Sequence, residues 1–132
     1  MNLYLDIDGT LITKHGCIEA NHLYDFLSLV TEKYDCYWLT SHCKGDASTA
    51  LEHLKDKVSE ESFELLKKIK PTTFGLWKTE GIDFSKDFMW LDDYAFDGER
   101  EMLKKNGASR NLIEINLRDN PDQLLNLIND FR

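Results

Sequence analysis

A parallel sheet covered on both faces by helices, three layers in all, is the fold class the chain predicts, and three observations predict it. Short apolar runs of strand length alternate along the whole sequence with stretches whose apolar residues recur at helical spacing. The second run is continuously apolar, as a strand buried on both faces of a parallel sheet is. Polar and acidic residues collect just past the carboxyl ends of these runs, where open parallel sheets bind their ligands.

Leu3-Tyr4-Leu5 is the first strand and runs into Asp6-Ile7-Asp8, after which Gly9 lets the backbone turn sharply. Leu23, Phe26, Leu27, Val30 and Tyr34 recur at helical intervals and predict the first amphipathic helix. Cys36-Tyr37-Trp38-Leu39 is a second strand, ending at Thr40-Ser41. Ala47, Ala50, Leu51, Leu54 and Val58 form another helical stripe with Asp46 as its N-cap; Phe63, Leu66 and Ile69 continue it to Pro71, as one bent helix or two. Thr72-Thr73-Phe74-Gly75 makes a weak third strand, and Trp77-Lys78-Thr79 opens a short turn or helix through Ile82.

Phe88-Met89-Trp90-Leu91 is the fourth strand and ends at Asp92-Asp93. Glu99 to Asn106 reads as a helix closed by Gly107, and Leu112-Ile113-Glu114-Ile115 as a fifth strand. Asn120-Pro121 starts the last helix, with Leu124, Leu125, Ile128 and Phe131 facing the core. The expected architecture is a three-layer, Rossmann-like α/β fold: a parallel sheet of about five strands within one domain, residues 1–132.

Composition narrows the function classes. No apolar run approaches the roughly 18 residues of a membrane span, and no signal-type segment opens the chain, so the expectation is a cytoplasmic protein without membrane attachment. Cys17, Cys36 and Cys43 are odd in number and lack CxxC spacing, which argues against a disulfide framework or a zinc site. A formal net charge of −8 argues against broad attraction to nucleic acid or anionic membranes. Lys14, Lys44 and Lys78 nevertheless fall near the strand ends, so a polyanion could be held at the mouth of an acidic protein.

Asp6 and Asp8 are one residue apart on a strand and point to the same side, so the two like charges call for a cation or a proton between them. Thr40, Lys78, Asp92 and Asp93 arrive at the same end of the sheet from three other segments. In this order the residues resemble the four motifs of the haloacid dehalogenase (HAD) superfamily of phosphohydrolases: Asp6-Ile7-Asp8-Gly9-Thr10-Leu11 the first, Thr40 the second, Lys78 the third and Asp92-Asp93 the fourth. The resemblance covers nearly the whole chain, and aspartate at position 8 is the variant that goes with phosphatases.

What the resemblance implies is a phosphomonoester hydrolase in which Asp6 attacks phosphorus and forms an aspartyl-phosphate. Asp8 is then the acid/base, protonating the leaving oxygen and later deprotonating water, with a pKa high enough to hold that proton. Thr40, with Ser41 as the fallback, and the backbone amides after Asp6 would donate to phosphoryl oxygens. A carboxylate approaching a phosphate dianion meets two repulsions of about 4 kcal/mol each at an effective dielectric near 20. Mg²⁺ and Lys78 are the expected compensation, with Asp6, the backbone carbonyl of Asp8, and Asp93 as metal ligands and Asp92 left for water or Lys78. Asp97 also fits a longer-spaced fourth motif.

None of the four histidines pairs with another at metal-ligand spacing; His15 and His42 are surface residues within reach of a substrate, and Trp77 stands beside Lys78. Trp38 and Trp90 lie inside strands and belong to the core. Thr13 to Cys17 leaves room only for a short flap, so no cap domain is expected. An open site of that kind suits a large phosphorylated substrate that covers it, or a lid from a neighbouring subunit; small phosphate esters, including nucleotides, also fit. A non-catalytic phosphate-binding module would be marked by a broken motif, and none is broken.

Overall fold

In the computed structural model, which describes all 132 residues, four strands form one fully parallel sheet. β1 (Asn2–Leu5), β2 (Asp35–Trp38), β3 (Phe88–Asp92) and β4 (Leu112–Glu114) lie side by side in the order β2-β1-β3-β4. The helices are α1 (Leu23–Lys33), α2 (Ser48–Leu54), α3 (Glu60–Leu66), α4 (Asp97–Lys105) and α5 (Gln123–Phe131). The layout is Rossmann-like α/β, and the order reverses between β1 and β3, which opens a crevice at their carboxyl ends.

The sheet has four strands, not five, because Thr72–Gly75 does not pair as a strand. The chain meets the outer edge of β2 at a single parallel bridge between Tyr37 and Lys70. There Trp38 N–H donates to the Lys70 carbonyl at 2.8 Å and Lys70 N–H to the Cys36 carbonyl at 3.0 Å. Pro71 follows with no N–H to give a ladder. Beyond it the Thr72 hydroxyl turns back to the Trp38 carbonyl, and the Thr72 carbonyl accepts from Gly45 N–H at 2.7 Å.

Strand alternation sorts the interior. Leu3 and Leu5 face one way with Cys36, Trp38 and Leu91, and α1, α2, α3 and α5 cover them in a core of 24 buried residues. Tyr4, Phe88 and Trp90 face the other way onto Leu103 of α4 and Ile82, a cluster of only 8, so the first face carries most of the apolar burial. Trp38 and Trp90 are both fully buried. Cys36 and Cys43 are buried, and burial together with the charge of Asp35 pushes the Cys36 thiol up to about 12. No helix is long and apolar enough to cross a membrane.

The helical stretch before Pro71 is two helices. Asp46 Oδ1 accepts from Ser48 N–H at 2.8 Å at the start of α2, and Ser59 restarts the chain by accepting from Ser62 N–H at 3.2 Å at the start of α3. Both helices pack into the larger core. Between β1 and α1 the chain makes only a short flap, closed by an antiparallel bridge between Ile12 and Glu19.

On α5 the buried stripe is Leu124, Leu127, Ile128 and Phe131, whereas Leu125, expected in the core, is 37% exposed. The helix begins at Gln123, and its rotation turns position 125 away from the sheet. Leu124→Ala should therefore lower the unfolding free energy by about 2–5 kcal/mol, and Leu125→Ala by less than about 1 kcal/mol. Urea midpoints at unchanged m-value measure both.

Candidate active site

Register builds the centre of the site. Leu5 lies opposite Leu91 and Asp6 N–H donates to the Leu91 carbonyl at 3.0 Å, so Asp6 at the end of β1 stands beside Asp92 at the end of β3. Both are buried, with 6% and 1% exposure. Lys78, at the start of a 3-10 turn, Lys78–Gly81, reaches them with Nζ at 3.2 Å from Asp6 Oδ1 and 2.7 Å from Asp92 Oδ2. Asp93 completes a group in which carboxylate oxygens of Asp6, Asp92 and Asp93 all lie within 4.8 Å of one another.

The electrostatics follow from burial. Loss of solvent pushes the Asp6 carboxyl up, opposed by the charge of Lys78 and the Ile7 amide. Burial first, and the charge of Asp6 second, push Asp92 up to about 8 despite Lys78. Burial also works against the Lys78 ammonium, but the two carboxylates outweigh it and hold its pKa above the ordinary value. The group could therefore hold one proton or one further cation. Three carboxylates and no soft ligand make a donor set that suits a hard divalent ion such as Mg²⁺.

Asp93 is also held by Lys14 Nζ at 3.1 Å. Gly9, at φ +80°, lets the turn pass close to it: a Cβ at that position would sit 2.6 Å from Asp93 Oδ2. Of the amides after Asp6, those of Thr10, Leu11 and Ile12 all donate to the Ile7 carbonyl and that of Gly9 to the Ile12 carbonyl. The turn consumes them and leaves the Asp8 amide without a backbone partner.

Asp8 departs from its expected surroundings. Its carboxylate stands outside the Asp6–Asp92–Asp93 group and is met by two imidazoles instead. His42 Nε2 lies 2.8 Å from Asp8 Oδ2 and His53 Nε2 lies 2.9 Å from Asp8 Oδ1. The two imidazoles stack with centroids 3.9 Å apart and planes at 13°. Burial works to raise the Asp8 carboxyl, and hydrogen bonds from His53 and His42 outweigh it, leaving it below the ordinary carboxylate value rather than above.

Thr40 is buried at the end of β2, where its Oγ1 accepts from His42 N–H at 3.3 Å and its own proton is free to donate; Ser41 is exposed. Asp97 is exposed in the first turn of α4, outside the carboxylate group. Lys44 Nζ lies over the Phe74 ring, at 5.5 Å from its centroid, and not at the site. Trp77 packs on the start of α4, so close that a Cβ at Gly98 would meet its ring at 2.7 Å. His15 lines a cleft of about 540 Å³ with Gly9, Lys14, Asp93, Asn116 and Arg118, beside the carboxylates.

Two contributors escaped the sequence reading. His53 sits on α2 one turn after buried Ala50 and next to buried Leu54, so a polar side chain at the edge of an apolar stripe was its signal. Glu99 is 2% exposed and accepts from Phe96 N–H at 2.9 Å and from Lys78 N–H at 2.7 Å, tying the start of α4 to the lysine. Its place in the third position of a helix was the visible part of that signal.

No protein-family model matches the chain, and comparison with curated proteins and with solved structures returns no significant match.

The raised Asp92 carboxyl has a measurable consequence in chelator-treated protein. An aspartate near 3.9 when unfolded and about 8 when folded binds a proton more tightly in the native state. Its stabilising contribution is full below about pH 4 and is lost as pH rises towards 8. Asp92→Asn should flatten that decline, as read from denaturant midpoints across the interval.

Proposed function

We propose that this chain is a Mg²⁺-dependent phosphomonoester hydrolase of the haloacid dehalogenase type, working through an aspartyl-phosphate on Asp6. The observation that carries the reading is the cluster of buried Asp6 and Asp92 on half-buried Lys78, with Asp93 beside it, at the point where strand order reverses. Asp6, Asp93 and the Asp8 carbonyl are the residues that would hold the ion. When bound, Mg²⁺ supplies the positive charge that offsets repulsion between Asp6 and a phosphate dianion.

In the first step an Asp6 oxygen bonds to phosphorus and the bond to the leaving oxygen breaks, its electron pair staying on that oxygen. An alkoxide would need a proton from the acid form of Asp8, a minor species because His53 and His42 hold that carboxyl below its ordinary value, whereas an aryloxide departs as the anion. Water then attacks phosphorus, its proton passes to the Asp8 carboxylate, and the bond to Asp6 breaks to release phosphate. Lys78 steadies the Asp6 carboxylate throughout, and the Thr40 hydroxyl and Asp8 amide are donors for phosphoryl oxygens. An Asp8 held below its ordinary pKa is a carboxylate at neutral pH, which suits the second step.

The short flap over the site and the cleft beside Asp93 suit a phosphorylated substrate larger than a simple metabolite, or a lid from a second copy of the chain. Three free cysteines suit a reducing, cytoplasmic setting.

The protein should release phosphate from 4-nitrophenyl phosphate with Mg²⁺ and stop in chelator. Asp6→Asn should lower kcat by about 10⁴-fold or more while retaining its fold by circular dichroism; a mutant as fast as the parent overturns the mechanism. A screen across nucleotides, sugar phosphates, phosphopeptides and phosphorylated oligonucleotides then reads the substrate class. Binding of phosphate without turnover of any of them would make the chain a non-catalytic phosphate-binding module.

A further inference from the structure

We infer that His42 and His53 are a paired clamp that orients Asp8 as the base for the water attacking the aspartyl-phosphate, an inference that rests on the phosphatase reading above. The two imidazoles come from separate parts of the chain, His42 from the turn after β2 and His53 from α2. Each aims Nε2 at a different oxygen of the same carboxylate, at 2.8 and 2.9 Å, within the range of charge-assisted N–H···O bonds. Two donors on two oxygens fix both rotatable angles of the Asp8 side chain. Each oxygen keeps a lone-pair direction for the proton it will take.

Ring geometry separates this role from a metal site built of the same three residues. An ion bound by an imidazole lies close to that ring's plane, on the nitrogen's lone-pair axis. Two rings stacked 3.9 Å apart at 13° have nearly parallel planes, so their axes do not converge on one nearby point. They do match two oxygens side by side on one carboxylate. The backbones that carry the rings are held locally: the backbone N–H of His42 donates to Thr40 Oγ1 at 3.3 Å, and Lys57 Nζ donates to the backbone carbonyl of His53 at 2.6 Å. The turn that presents the Thr40 hydroxyl therefore also presents one half of the clamp.

Loss of orientation at a reacting group costs about 10²-fold for a displacement near 1 Å. With 4-nitrophenyl phosphate the first step needs no acid, because the aryloxide leaves as the anion, so only the second step depends on Asp8. His42→Leu and His53→Leu should each lower steady-state kcat by about 10²-fold and reveal a rapid burst of nitrophenolate approaching one per chain. His42→Gln and His53→Gln, which keep a donor near the Nε2 position, should recover most of the rate and lose the burst. In the parent, long-range ¹H–¹⁵N spectra of the imidazoles should show a proton on Nε2 of both rings.

Equal slowing of the burst and the steady state in the Leu variants, or no slowing, overturns the clamp while leaving the phosphatase reading intact. A bare Nε2 on either ring overturns it, since that ring would then donate nothing to Asp8. A parent that releases no phosphate from any substrate overturns the phosphatase reading and this role together.

Discussion

Asp6 and Asp92 stand side by side because the register of β1 against β3 puts Leu5 opposite Leu91, and two buried carboxylates so placed cannot both stay charged without a cation between them. Lys78 supplies the nearest one, and much of the surrounding structure serves to keep it there. Its ammonium touches both acids, while its backbone N–H is held by Glu99, which also caps α4 at Phe96. The second face of the sheet, thin in apolar contacts, is thus tied to the site through one buried glutamate.

Charge at this end of the molecule is divided among separate partners. Asp6 and Asp92 go to Lys78, Asp93 to Lys14, and Asp8 to the imidazole pair. The division matters for chemistry, because it places neighbours of the same sequence motif in opposite electrostatic settings. Burial raises Asp6 and Asp92, whereas hydrogen bonds lower Asp8. Two carboxyl groups two residues apart thus sit in opposite settings, one raised by burial and one lowered by hydrogen bonds, the kind of split that lets neighbouring acids take different parts in one reaction.

Much of the fold was legible because helices and buried strands write their period into the chain. The spacing of Leu23, Phe26, Leu27 and Val30 marks α1, and all four are buried. Thr72–Gly75 misled because composition does not show whether a neighbouring strand offers a partner. There the proline and the side chain and carbonyl of Thr72 end the pairing after one bridge. Leu125 misled because a stripe that holds both 124 and 125 leaves the helix rotation open, and packing against the sheet chose 124 and 127.

By itself the sequence determined the order of strands and helices and the delivery of Asp6, Asp8, Thr40, Asp92 and Asp93 to strand ends, since backbone alternation and apolar period act over a few residues. Tertiary structure decided which side chains meet each acid. Lys78 with Asp6, and His42 and His53 with Asp8, are pairs far apart along the chain, and only the parallel register and the packing of α2 bring them within hydrogen-bonding distance. The pKa directions of Asp6 and Asp8 follow from those pairings and from burial, so they too became readable only once the chain was folded.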